Sequence, residues 1–272
     1  MEQTISTYLV DSFTDQVFKG NPAGVCLLKE ELSESLMQAI AAELGLSETA
    51  FVLKKDDHYH IRYFSPKEEI PLCGHATLAS AKVLFDQHPN ISAIHFITEQ
   101  QVDLPVRKDD GQILMEFPVY DTYPKDVSKD MLDALGLQRV VANLYNRENN
   151  ILMLVIEEAE LLERLTPDFN ALVQTNNEIS GVLVTAPSTK AGFDFESRYF
   201  WPWVGTDEDP VTGATHTFMT KYWGDRLGKT QMKSFQSSER TGFMDLELAE
   251  SGKLLIKGFA KVVLEGVMHL PK

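Results

Sequence analysis

Polar and apolar positions alternate over residues 4–13, the period of a half-buried strand, and the apolar stretch 25–28 follows the turn signal Gly20-Asn21-Pro22. The period then changes. Leu36, Met37, Ile40, Ala41 and Leu44 recur at helical spacing between Ser33, a natural N-cap, and Gly45, a natural stop. Residues 49–53 and 58–64 read as strands. The run 76–85 is apolar or small on every side except at Lys82, the pattern of a helix enclosed by sheet. Three further strands are predicted around 95–98, 102–107 and 113–117.

The second half repeats this order in outline. A helix over 128–135 stops at Gly136, strands follow at 150–156, 181–185 and 193–200, and a second enclosed helix runs from Gly213 to about Tyr222. Strands at 232–237, 243–248 and 254–263 complete the half. The repetition extends to residue identity. Arg62-Tyr63-Phe64-Ser65-Pro66 and Pro71-Leu72-Cys73-Gly74-His75-Ala76-Thr77 return as Arg198-Tyr199-Phe200-Trp201-Pro202 and Pro210-Val211-Thr212-Gly213-Ala214-Thr215. The offset is 139 for Pro71/Pro210, Gly74/Gly213 and Lys82/Lys221 and 136 for Arg62/Arg198, so one three-residue insertion reconciles the two copies. A repeat of this length occurring twice predicts an α+β protein of two pseudo-symmetric lobes, each a curled mixed or antiparallel sheet around a central helix, with a site between them. The lobes are expected at 1–118 and 119–272, joined through 120–126 beside Pro118 and Pro124.

With 272 residues and 43% hydrophobic content the chain can bury a core in each lobe. A net charge of -15 without any Lys/Arg cluster argues against nucleic acid as a partner. No basic segment precedes an apolar one at the start, and no run of about 18 apolar residues occurs, so no membrane association and a cytoplasmic location are expected. Two cysteines, Cys26 and Cys73, are too few for a disulfide framework and lack paired metal-ligand spacing, so no metal is expected. Apolar residues in 193–203 could support a two-fold homodimer.

Both enclosed helices begin at a Pro-x-x-Gly turn, where unpaired N–H groups and the helix dipole favour an anion such as a substrate carboxylate. Cys73 and Thr212 are equivalent in the two copies. Two-lobed, cofactor-independent amino-acid epimerases carry a cysteine at each such helix start, and the single thiol here weighs against a two-thiol racemase.

Asp11-Ser12-Phe13-Thr14, Gly20-Asn21-Pro22-Ala23-Gly24-Val25, Leu46-Ser47-Glu48-Thr49-Ala50-Phe51-Val52, the Cys73 segment and Asp207-Glu208-Asp209-Pro210-Val211-Thr212-Gly213 occur in that order. Together they resemble the signature segments of the PhzF-like phenazine-biosynthesis isomerases, within the diaminopimelate epimerase-like fold. The resemblance implies a cofactor-free isomerase acting on a small carboxylate-bearing substrate, with Glu48 as general acid/base and His75 and Asp209 as further active-site residues. It also implies substrate contacts from Asn21, Cys73, Gly74, Thr212, Gly213 and Ala214. Glu48 suits its role on independent grounds, because the apolar stretch 46–52 would partly desolvate the carboxylate. Ala214 stands where the family often has serine, which removes a hydroxyl donor. Two other readings stay open: an amino-acid epimerase using Cys73, and a non-catalytic small-molecule binder or interaction protein on the same fold.

Overall fold

The computed structural model describes residues 4–175, 178–204 and 206–271. In chain order it contains β1 (Thr4–Ser12), β2 (Asn21–Leu28), α1 (Glu34–Leu44), β3 (Glu48–Lys54), β4 (Tyr59–Phe64), β5 (Glu69–Ile70), α2 (Gly74–Gln87), β6 (Ala93–Thr98), β7 (Asp103–Asp109) and β8 (Gln112–Pro118). There follow β9 (Tyr123–Pro124), α3 (Lys129–Leu135), β10 (Ala142–Asn146), β11 (Ile151–Val155), α4 (Ala159–Glu163), α5 (Phe169–Thr175), β12 (Gly181–Pro187), β13 (Phe195–Phe200) and β14 (Glu208–Asp209). The chain ends with α6 (His216–Leu227), β15 (Gln231–Gln236), β16 (Gly242–Leu248), β17 (Lys253–Gly258) and β18 (Ala260–His269).

The α+β class and the duplicated architecture are as the sequence predicts, and strand pairing makes the duplication explicit. In the first unit β1 is antiparallel to β2, β2 parallel to β3, β3 antiparallel to β4, and β4 parallel to β6. In the second unit β10, β11, β12, β13 and β15 repeat that sequence of antiparallel, parallel, antiparallel and parallel pairs. Even the two-residue strands correspond. Glu69 of β5 lies opposite Phe64, and Glu208 of β14 lies opposite Phe200. Arg62 grips Glu69 through Nε and Nη2 at 2.7 and 2.6 Å, and Arg198 grips Glu208 in the same way at 2.8 and 2.7 Å. Such bidentate pairs fix a short strand that backbone hydrogen bonds alone would hold weakly.

The compact units differ from the predicted division. The first takes the chain up to 116 together with residues from 257 onward, and the second spans 117–256. The expected assignment of the whole C-terminus to the second lobe is therefore corrected. The predicted strand 254–263 is two strands, and the later one, β18, pairs with β1 along its full length from Thr4 to Ser12. In the second unit β9, within the expected connector, pairs with β10, the counterpart of β1.

Each enclosed helix is buried as its composition requires. Ten residues of α2 are buried, and it packs on β1, β2, β3 and β18. The second enclosed helix starts three residues later than predicted: residues 213–215 form a tight turn, with His216 N–H donating to Gly213 O and Thr217 N–H to Ala214 O. It also runs on past Tyr222 to Leu227, where Gly228 in the left-handed region ends it. In the first unit α1 packs on β3 and β4, its Met37, Ile40 and Ala41 sharing a core with Phe51 and Phe64. In the second, α3, α4 and α5 build a core with Leu152, Leu154, Val182 and Val184. Of the segment 193–203 on which a dimer was expected, all six residues of β13 are buried, and Phe193, Trp201 and Trp203 are partly exposed. Among the described residues no helix is long and apolar enough to cross a membrane.

Candidate active site

Three of the predicted residues converge in the first unit. Glu48 opens β3, in register with Ala23 of the parallel β2. Cys73 is the N-cap of α2, in extended conformation and with no side-chain capping bond, and His75 lies in its first turn. Each is nearly dry: Glu48 and His75 are 8% exposed and Cys73 7%. His75 Nε2 stands 3.2 Å from Glu48 Oε2, and His75 Nδ1 stands 3.4 Å from Cys73 Sγ. The imidazole thus lies between a thiol and a carboxylate.

Burial pushes the His75 pKa below the ordinary imidazole value, and the Glu48 charge opposes this only in part. A neutral ring with its proton on Nε2 serves both contacts: Nε2–H donates to Glu48, and Nδ1 accepts from the Cys73 thiol. Neighbouring groups fix this corner. Ser12 Oγ donates to the His75 carbonyl at 2.7 Å, and Asn21, wholly buried, starts β2 directly opposite Ser12. Thr77 Oγ1 donates to the Cys73 carbonyl at 2.7 Å and meets Tyr63 Oη at 2.6 Å. Gly24 explains how β3 comes so close to β2, since a Cβ there would meet Thr49 Oγ1 at 2.7 Å and Leu44 Cδ1 at 3.1 Å.

The helix start of the second unit is differently equipped. The Thr212 hydroxyl donates to Asp209 Oδ2 in a short hydrogen bond. The Thr212 N–H donates to Gln236 Oε1 at 3.0 Å, and Gln236 Nε2 returns a bond to the Asp209 carbonyl at 2.8 Å. One N–H expected to serve an anion is therefore already engaged by a side chain. His216, wholly enclosed, bridges the Thr212 carbonyl at 2.9 Å and Ser234 Oγ at 2.8 Å, and burial pushes its pKa down to about 4. Gly213 and Ala214 form the turn before α6, and Ala214 offers only its methyl group. Sequence reasoning passed over Gln236 and His216. His216 carried a signal, following the repeated turn as it does, whereas Gln236 comes from a strand whose register no local pattern fixes.

Among the described residues, Glu48, Cys73 and His75 form the one group of three or more His, Cys, Asp or Glu side chains with ligand atoms close enough to share an ion; these atoms lie within 4.8 Å of one another. No Lys or Arg is among them.

Residues 10–266 match the family model described as PhzC-PhzF, phenazine biosynthesis-like protein. The chain is 38% identical to the mouse phenazine biosynthesis-like domain-containing protein 2 over 281 residues, covering 96% of this chain and 98% of that one. It is also 38% identical over 270 residues to an uncharacterized isomerase of Pseudomonas aeruginosa, with 99% and 100% of the two chains covered. The crystal structure of a PhzF-family phenazine biosynthesis protein from Enterococcus faecalis superposes with a TM-score of 0.91 at 37% identity, over 98% of this chain and 100% of that one. Since the match runs through almost the whole chain in sequence and in structure, this protein belongs to the PhzC-PhzF family of phenazine biosynthesis-like proteins.

Proposed function

We propose that this protein is an isomerase that moves a proton within a small carboxylate-bearing substrate, using Glu48 as general acid/base and no cofactor. The observation that carries the reading is the Glu48 carboxylate itself, almost removed from water and facing the ring of His75 at 3.2 Å. Among the described residues its ion-pair partner is the His75 ring, and a carboxylate so placed can serve as a general acid/base. Glu48 removes a proton from one carbon, the electron pair moves into a conjugated system of the substrate, and the same carboxyl group returns the proton at another carbon. His75 orients the carboxylate by its Nε2–H and follows its change of charge. The isomerase name of the Pseudomonas relative supports the reaction class.

One observation favours a second reading, an epimerase using Cys73: the thiol lies at a helix start, 3.4 Å from an imidazole nitrogen. Against it, the equivalent position 212 carries threonine, whose hydroxyl is committed to Asp209. Proton NMR of small unsaturated and amino-substituted carboxylates incubated with the protein in deuterated water separates the two. The isomerase reading expects deuterium at a carbon other than the one deprotonated. Deuterium at the original carbon with inverted configuration would establish the epimerase.

A further inference from the structure

From the Glu48, Cys73 and His75 side chains we infer a binding site for a zinc-class divalent ion, at which the ion blocks the proton-transfer residue. That the ion inhibits rests on the isomerase reading above; that it binds does not. The three residues come from the start of β3 and the start of α2, so no sequence spacing announces them, and the absence of metal expected from the cysteine count is the point revised here.

The geometry is close to what such an ion needs. Zinc bonds of about 2.3 Å to sulfur and about 2.0–2.2 Å to nitrogen and oxygen set tetrahedral ligands roughly 3.3–3.6 Å apart. His75 Nε2 is 3.2 Å from Glu48 Oε2 and 4.0 Å from Cys73 Sγ, and all three ligand atoms lie within 4.8 Å. Bringing the most separated pair to tetrahedral spacing takes side-chain movement of up to about 1 Å. Three protein ligands leave the fourth position to water, and the small residual exposure of each gives an entry path. A thiolate, an imidazole and one carboxylate select zinc, cobalt and similar ions over magnesium and calcium, which take oxygen donors. On binding, the Cys73 thiol gives its proton to solvent and the His75 ring proton passes from Nε2 to Nδ1, so that sulfur, Nε2 and the carboxylate oxygen bond to the ion and Glu48 has no free lone pair aimed at substrate.

The test uses the full chain after treatment with a chelator, titrated with Co²⁺ and followed by absorption. One equivalent is expected to produce a thiolate-to-cobalt charge-transfer band in the near ultraviolet with the visible bands of a tetrahedral site. Stoichiometric Zn²⁺ abolishes both, and excess Mg²⁺ does not. Cys73→Ser loses the charge-transfer band, and Glu48→Gln weakens Co²⁺ binding by at least about 10-fold. Cys26→Ser, which replaces the only other cysteine, keeps the band, and circular dichroism shows that each variant is folded. A wild-type spectrum without a charge-transfer band at saturating Co²⁺, or a band that survives Cys73→Ser, overturns the inference. Solvent-deuterium exchange by the metal-free protein is measured separately, so failure of the metal site and failure of the isomerase reading are told apart.

Discussion

At the scale of single residues the chemistry depends on which groups near the helix starts are free to move protons. Cys73 can donate to His75 and, in a one-carboxylate isomerase, has no proton to carry to substrate. Cys73→Ser, assayed on the metal-free protein, is accordingly expected to keep turnover within about tenfold of wild type, whereas loss of roughly 10²-fold or more would place the thiol in the reaction. His216 makes a different prediction. Its folded pKa, about 4, lies below the ordinary imidazole value, so the unfolded chain takes up a proton that the folded chain refuses. Its contribution is therefore complete above the unfolded pKa and is lost as pH falls from about 6.5 towards 4, by up to about 3 kcal/mol. Urea unfolding at pH 7.5 and pH 4.5 should show His216→Asn losing less stability on acidification than wild type. Glu48, Cys73 and His75 were legible in the sequence because each sits in a short, distinctive segment. Their mutual arrangement was not, since the strand register that sets Glu48 opposite Ala23 is fixed only by tertiary pairing.

At the scale of elements, what the sequence made legible were the devices that work locally. Ser33 accepts from the backbone N–H of Leu36, and Gly45 and Gly136 close their helices in the left-handed region, as read from residue type alone; Ser128, read as the first helical residue, is the N-cap and accepts from Met131 N–H. Ser33→Ala and Ser128→Ala should each cost about 1 kcal/mol by thermal or urea unfolding, with no effect on the reaction. Elements held by distant partners escaped notice. The strands β5 and β14 exist through their Arg–Glu pairs, and the half-buried β10 owes its place to β9 and β11. The short helices α4 and α5 are likewise set by the core they complete. The β2–β3 contact gives the sharpest test at this scale. Gly24→Ala inserts a methyl group against Thr49, the neighbour of Glu48. It should destabilise the fold by about 1–3 kcal/mol and lower turnover beyond the loss of folded protein, as measured by unfolding and by exchange rate per folded molecule.

At the scale of the whole molecule, duplication explains the architecture and also why the predicted boundary was displaced. The repeat located both helix starts, but hydrophobic patterning cannot say which sheet the last strand joins, and β18 joins β1. Deleting residues 260–272 removes β18, one of the two antiparallel partners of β1, and leaves β2. Hydrogen exchange of that shortened chain should show the β1 amides that face β18 losing protection while β11, β12 and β13 keep theirs; unchanged protection of those β1 amides would contradict the assignment of the C-terminus to the first unit. The duplication also produced unequal halves. At one helix start a thiol and an imidazole meet the Glu48 carboxylate of β3, and at the other a threonine is bound to an aspartate. That asymmetry is the basis for assigning proton transfer to Glu48. The most direct measurement is the rate of solvent-deuterium incorporation by Glu48→Gln set against wild type, with substrate affinity determined in parallel. The expected result is a rate lower by roughly 10²- to 10⁴-fold with affinity within about tenfold, because the amide keeps the shape of the carboxylate but cannot take a proton. A folded Glu48→Gln protein that exchanges within a few-fold of wild type would contradict the assignment.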